Sequence, residues 1–166
     1  IGVEIATCLL AGIISDTSGL SERNVTKKTF DIVSYLYDKG GNYKEVYSRI
    51  MNSYTKEQFK LKQLVVSRVS IVGDIAMSYL KKEEITNVEM VDHKSLVREY
   101  QHISNVKVSI LFIEYDDFVK VSLRSSEIDV LEICKNFDGG GHKNSAGCTI
   151  YDTLENADEK ILSMLV

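Results

Sequence analysis

The chain has 166 residues, 44% hydrophobic and 27% charged, enough for one ordinary domain or two small ones whose core needs no disulfide or metal staple. A net charge of −4 excludes the global basic field that long duplex DNA or RNA requires and favours a small phosphorylated ligand held by a local cluster. No apolar run nears the roughly 18 residues that span a bilayer, no signal peptide is visible, and Cys8, Cys134 and Cys148 read as reduced core thiols of a cytoplasmic protein.

The chain opens on Ile1-Gly2-Val3-Glu4, without an initiator methionine, and enters a helical pattern at once. It reads as a cut through a domain, with part of the protein expected upstream. Residues 3–14 suit a buried helix, and Ser, Asp, Thr, Gly and Asn make 15–25 a loop. A second helix is predicted from Thr26 to Lys39, with Phe30, Val33, Leu36 and Tyr37 on one face, stopped by Gly40-Gly41-Asn42. A short helix follows at about 43–51. Residues 56–68 form a further helix that reads as a link between two halves.

From Val69 the pattern becomes alternating. VSIV, Gly73-Asp74 and IAMSYL predict a hairpin. Asp92–His102 carries Leu96, Val97, Tyr100 and Ile103 at helical spacing, with Asp92 as its N-cap. Val106–Tyr115 and FVKVSLRS are strands about an Asp116-Asp117 turn. Ile128–Phe137 is a short helix, a glycine loop follows, Cys148–Tyr151 is a strand, and a last helix runs from about Asn156 to Leu165.

Chemistry concentrates in that glycine loop. Gly139-Gly140-Gly141-His142 frees the backbone from Cβ clashes, so successive N–H groups can converge on an anion. The histidine adds a donor, a charge or a flat ring. A helix C-cap and a tight turn explain one or two of the glycines; three in a row before a histidine read as a phosphate or nucleotide clamp. Arg124-Ser125-Ser126, at a strand end just upstream, offers a guanidinium fork and hydroxyls. Alone it is more commonly an edge arginine in solvent, but the next short helix can bring it to the glycine loop. Asp16 follows a helix C-terminus, where a carboxylate suits a hard divalent cation or simply ends a turn. No HxD, HExxH or CxxC pattern occurs.

KVSLRSSEIDVLEICKNFDGGGHKNSAG (120–147) resembles the signature of the DHHA1 domain. ATCLLAGIISDTSGL with NVTKKTF (6–30) is similar to the end of a DHH phosphoesterase domain. Together they resemble the C-terminal part of the bacterial DHH/DHHA1 phosphoesterases: oligoribonucleases, phosphatases of adenosine 3′,5′-bisphosphate (pAp) and cyclic-dinucleotide phosphodiesterases. The resemblance implies an α/β fold: the helical end of a DHH domain (1–54), a linker helix (55–68) and a mixed-sheet DHHA1 domain (69–166). It implies substrate binding by Arg124, Ser125, Gly139, Gly140, Gly141 and His142, and metal binding by Asp16. Two Mn²⁺ ions in the complete DHH domain would drive in-line water attack on phosphorus.

Three departures stand out. Asp138 replaces the first of the family's usual four glycines. Ser18-Gly19-Leu20 replaces a glycine and an aromatic after Asp16-Thr17. The DHH triplet and the earlier metal ligands are absent, so this chain alone is expected not to bind the ions or to hydrolyse anything. The expected partner is a short nucleotide or oligonucleotide; no membrane is expected, and a homodimer is left open. Two other readings remain: a non-catalytic nucleotide-binding module, with Lys56, Lys60 and Lys62 extending a basic track, and part of a single-strand exonuclease.

Overall fold

The computed structural model describes residues 1–22, 24–85 and 91–165, and the side chains of His93 and Lys94 lie outside the described residues. The chain divides into two compact units, Ile1–Tyr54 and Thr55–Val166.

The first unit is helical: α1 (Val3–Asp16), α2 (Lys27–Asp38) and α3 (Tyr43–Met51). Ala6, Leu10 and Ile14 recur every four residues and form the buried stripe of α1. Leu36 of α2 packs on it, with Val33 alongside. Gly41 sits where these helices meet: a Cβ there would lie 2.7 Å from Leu10 Cδ1 and 2.8 Å from the Leu36 carbonyl oxygen. Asn42 then caps α3 by accepting from the Glu45 N–H at 3.1 Å. Two expectations are corrected. Cys8 is exposed rather than a core thiol, because two residues past Ala6 carry it to the far side of α1. Phe30 and Tyr37 are exposed too, the face of α2 that packs toward α1 carrying Leu36 and Val33 instead.

The second unit begins with α4 (Lys56–Ser67) and contains β1 (Ser70–Val72), β2 (Ile75–Leu80), α5 (His93–Arg98), β3 (Val108–Glu114), β4 (Val119–Ser125), α6 (Val130–Lys135), β5 (Gly140–His142), β6 (Ser145–Ile150) and α7 (Leu154–Leu162). Its six strands form one mixed sheet in the order β1-β2-β3-β4-β6-β5. Among the described residues only β2 and β3 pair in parallel, and the long connection that this demands carries α5. The other neighbours are antiparallel.

Strand periodicity divides the core into two layers. Val108, Ile110 and Phe112 of β3 point with Val119, Val121 and Leu123 of β4 to the side covered by α6 and α7. Leu111 and Ile113 point the other way, to Leu61 and Val65 of α4 and to Leu96, Val97 and Tyr100. Strand β3 is buried along almost its whole length, as expected for a strand covered on both faces. Helix α4 is thus part of this unit's packing: the buried Ser78 hydroxyl donates to the Val65 carbonyl at 2.6 Å.

Several boundaries differ from the sequence reading, among them α7, which runs Leu154–Leu162 rather than from about Asn156 to Leu165. Strand β6 begins at Ser145, three residues before the expected Cys148, and the glycine segment is itself the edge strand β5. Cross-strand pairing creates both, and no local propensity announces it. Asp92 does cap α5, accepting from the Ser95 N–H at 3.2 Å, but α5 stops at Arg98. Turns from Tyr100 to Ile103 and Ile103 to Val106 replace the helix, with Asn105 left-handed at φ 68°, and lead the chain into β3.

Two contacts generate predictions. The Tyr100 hydroxyl donates to the Ile110 carbonyl at 2.7 Å in the buried core, so Tyr100→Phe should lower stability by about 1 kcal/mol in urea unfolding. Arg68 grips Glu84 through two hydrogen bonds of 2.6 Å, and this fork holds the Glu84 carboxyl below its usual range. A depressed carboxylate contributes stability that is present above its unfolded pKa and lost as pH falls through the folded one. Glu84→Gln should therefore lower stability at neutral pH and flatten the acid limb of a pH-dependent melt.

Candidate functional site

Register decides what the strands bring together. Arg124 of β4 lies opposite Ser145 of β6, and Ser145 lies opposite His142 of β5. Direct partners in antiparallel strands share a face, so Arg124 and His142 flank Ser145 on one row. The next row along the strands is Ser122–Gly147–Gly140, and after it comes Lys120–Thr149. These residues alternate with Val119, Val121 and Leu123, so they face away from α6 and α7. Arg124, Ser122, Ser145, Gly140, His142 and Lys120 line one open cleft.

The three glycines have different duties. Gly139 is wedged between strand and helix: a Cβ would meet the Gly147 oxygen at 2.5 Å, Cys148 Cβ at 2.6 Å and the Cys134 oxygen at 2.8 Å. Gly141 has φ +139°, and its Cβ would lie 2.4 Å from the Ser145 oxygen, so it is glycine for closeness and for conformation. Gly140 is different. Its Cβ would point into open space, and it is exposed beside Gly147. Close packing explains glycine at 139 and 141, whereas Gly140 presents bare backbone to the cleft. The residue in the family's first glycine position, Asp138, takes the left-handed φ of 52° itself, a conformation that aspartate tolerates better than most residues.

Ser125 has a structural duty. Its hydroxyl oxygen accepts from the N–H groups of Glu127 at 3.1 Å and Ile128 at 2.8 Å, a local turn that starts the path into α6. By register Ser125 lies opposite Val108, on the face away from Arg124, and it is not among the residues that line the cleft. Asn144, which the sequence reading passed over, holds the hairpin to this strand end. Its side chain donates to the Ser125 carbonyl at 2.9 Å, while its own carbonyl accepts from the Ser125 N–H at 3.1 Å. The Lys143 carbonyl accepts from the Val130 N–H at 2.9 Å. The turn after His142 is thus fixed at two points, and His142 with it. A lone Asn in a turn carries no sequence signal that would have separated this duty from an ordinary one.

Asp16 belongs to the first unit and is the exposed last residue of α1. The next residue, Thr17, is buried. Its hydroxyl donates to the Ile13 carbonyl at 2.6 Å and accepts from the Leu20 N–H at 3.0 Å. Ser18, Gly19 and Leu20 are all left-handed, with φ 49°, 73° and 71°, a costly path for Ser and Leu. Among the described residues no group of three or more His, Cys, Asp or Glu side chains could hold a metal ion. A single exposed carboxylate does not fit a pair of manganese ions, which need several oxygen or nitrogen donors each. Lys62, part of the expected basic track, forms an ion pair with Glu99 at 2.9 Å.

The DHHA1 domain matches residues 62–165, which include the whole sheet and every residue of the cleft. The chain belongs to the DHHA1 family. It is 30% identical over 162 residues to the "Probable bifunctional oligoribonuclease and PAP phosphatase NrnA" of Streptococcus mutans, covering 93% of this chain and 51% of that protein. It is also 30% identical over 163 residues to "Cyclic-di-AMP phosphodiesterase GdpP" of Bacillus subtilis, covering 94% of this chain and 24% of that one. Among solved structures, an exopolyphosphatase-related protein from Bacteroides fragilis superposes with a TM-score of 0.87 at 28% identity, over 98% of this chain and 50% of that one. These alignments include the helical first unit, so the chain corresponds to DHH-linked DHHA1 proteins. It spans about half the length of the NrnA relative. No helix among the described residues is long and apolar enough to cross a membrane.

The division among the glycines is testable by substitution. Gly139→Ala and Gly141→Ala should each destabilise this DHHA1 domain by at least about 1–3 kcal/mol in thermal or urea unfolding, through overpacking and backbone strain. Gly140→Ala should change stability by no more than about 0.5 kcal/mol, its effect falling on ligand binding instead.

Proposed function

We propose that this DHHA1 chain is the substrate-holding portion of a phosphoesterase that hydrolyses short nucleotides: pAp, nano-RNA, and linear or cyclic dinucleotides. One observation carries the reading. The row Arg124–Ser145–His142 puts a guanidinium and an imidazole on the same face as the bare backbone of Gly140 and Gly147. Arginine grips phosphate oxygens in a planar fork. The serine and imidazole add donors. The glycine backbone lets a flat base or a sugar approach closely. Names given to the relatives, oligoribonuclease, PAP phosphatase and cyclic-di-AMP phosphodiesterase, share a phosphate ester on a small nucleotide as their object.

In this reading the chain's own residues bind and orient. Arg124 and His142 neutralise and position a phosphate, Ser145 bonds it from between them, and Gly140 leaves room beside it. Manganese, two ions, belongs to the proposal as the cofactor that would generate the attacking water, with Asp16 as the ligand offered here. The described residues do not make a site for it, so no chemical step is assigned to them. A cytoplasmic location, where such nucleotides arise, is part of the same proposal.

Calorimetric titration of the 166-residue chain with pAp tests the clamp. Arg124→Ala and His142→Ala should each weaken binding by about tenfold or more, the scale of a lost charged hydrogen bond, while melting stays close to wild type. Unchanged affinity in both variants removes the assignment. Added Mn²⁺ should give no turnover from this chain; steady release of phosphate would overturn the division of labour.

A further inference from the structure

The face that carries Arg124 continues past the glycine rows, and its far end has a different chemistry. Four residues from Arg124 along β4, about 14 Å at strand rise, Lys120 is exposed opposite Thr149. Two residues further, Phe118 stacks on Tyr115 with ring centroids 4.8 Å apart. It also meets the Tyr151 ring in a T-shaped arrangement, with centroids 6.1 Å apart. Parity places Phe118 with Lys120, Ser122 and Arg124, and Tyr151 with Thr149, Gly147 and Ser145. The same face thus runs from cations, across a floor of small residues, to a second cation and an aromatic end.

Tyr151 is 80% exposed, yet its backbone is held. The adjacent Asp152 carboxylate accepts from the Thr153 N–H at 2.8 Å, from the Asn156 amide at 2.6 Å and from Lys160 at 2.7 Å. Asp152 thereby ties the end of β6 to α7. Phe118 supports one edge of the Tyr151 ring and leaves most of it to solvent. A ring fixed at its base and open on its face is a stacking platform, because every nucleobase offers a π-face. Lys120, between the platform and the glycine floor, suits a phosphate as a point charge. Both sit on the cleft lining that includes Arg124 and His142.

We propose that Lys120, Thr149 and Tyr151 form a second subsite of this face, which takes a further phosphate and a stacked base of an oligonucleotide at least two nucleotides long. The proposal rests on the reading that Arg124 and His142 hold a phosphate at the first subsite. It adds length discrimination: pAp, with both phosphates on one sugar, fills the first subsite, whereas pApA and longer strands reach Tyr151. The partner is single-stranded, since stacking on Tyr151 needs an unpaired base.

The experiment is calorimetric titration of the 166-residue chain with pAp, pApA and pApApA, for wild type, Tyr151→Ala, Tyr151→Phe, Lys120→Ala and Arg124→Ala. Wild type should bind pApA more tightly than pAp. Tyr151→Ala should weaken pApA and pApApA by about tenfold or more, the scale of one lost base stack, and leave pAp within about twofold. Tyr151→Phe keeps the ring and should restore binding. Lys120→Ala should reduce the salt dependence for pApA by about one counterion and leave that for pAp unchanged. Equal wild-type affinity for pAp and pApA, or a Tyr151→Ala effect that is absent or equal on all three ligands, overturns the second subsite. If Arg124→Ala also leaves pAp binding unchanged, the first subsite fails as well. If Arg124→Ala weakens all three and Tyr151→Ala none, only the second is lost. Binding of none of the three by wild type overturns both.

Discussion

The antiparallel register of β4, β6 and β5 is the constraint on which the site depends. A strand's side chains alternate faces, so a slip of one residue would send Arg124 into the layer under α6 and α7 and turn Leu123 outward. Burial prevents the slip. Val119, Val121, Leu123, Ala146, Cys148 and Ile150 all lie in one apolar layer, and reversing them would expose that layer while burying a guanidinium and an ammonium. The core therefore holds Arg124, Ser145 and His142 in one row without any direct bond among the three being required. The apolar layer and the candidate site occupy opposite faces of the same strands.

Hydrogen bonding reinforces that register at the point where it is weakest. Strand β5 has only three residues, two of them glycine, with little side-chain surface to fix it. Asn144 and Lys143 supply what β5 lacks, binding the hairpin turn to Ser125 and to the first turn of α6. Gly139 supplies the other anchor, because only a residue without Cβ lets the chain pass so close to Gly147 and Cys148. The same short segment is thus pinned at both ends and bare in the middle, a suitable form for backbone that must receive a ligand with little reorganisation.

How far the site could be read from sequence varied with how local its cause is. The glycines and His142 stood out as a candidate because three consecutive glycines before a histidine exceed what turns need, whereas Arg124 was weak alone and entered through its place upstream and through the family resemblance. The duties of the individual glycines were not, since they depend on Gly147, Cys148 and Ser145, which only strand pairing brings near. Ser125 read as a phosphate donor and turned out to organise the turn at Glu127 and Ile128. Asp16 was assigned to metal only through the family resemblance, its position after a helix favouring a plain turn, and the fold around it supplies Thr17 hydrogen bonds and left-handed turns. Tyr151 and Lys120 gave no local signal, as lone exposed residues rarely do.

Most of the elements were legible in the sequence, and so was the alternation of β3 and β4, whereas the buried faces of α1 and α2 were read only in part. Four-residue spacing made α1, period-two alternation made β3 and β4, and glycines stopped or turned the chain where helices end. These follow from short-range sterics and from which side chains avoid water. Tertiary structure alone decided that the glycine segment is an edge strand, that β6 starts at Ser145, and that Arg124 and His142 share a row. Each of those facts depends on partners distant in the chain, which hydrogen-bond pairing and burial bring together only when the whole sheet forms.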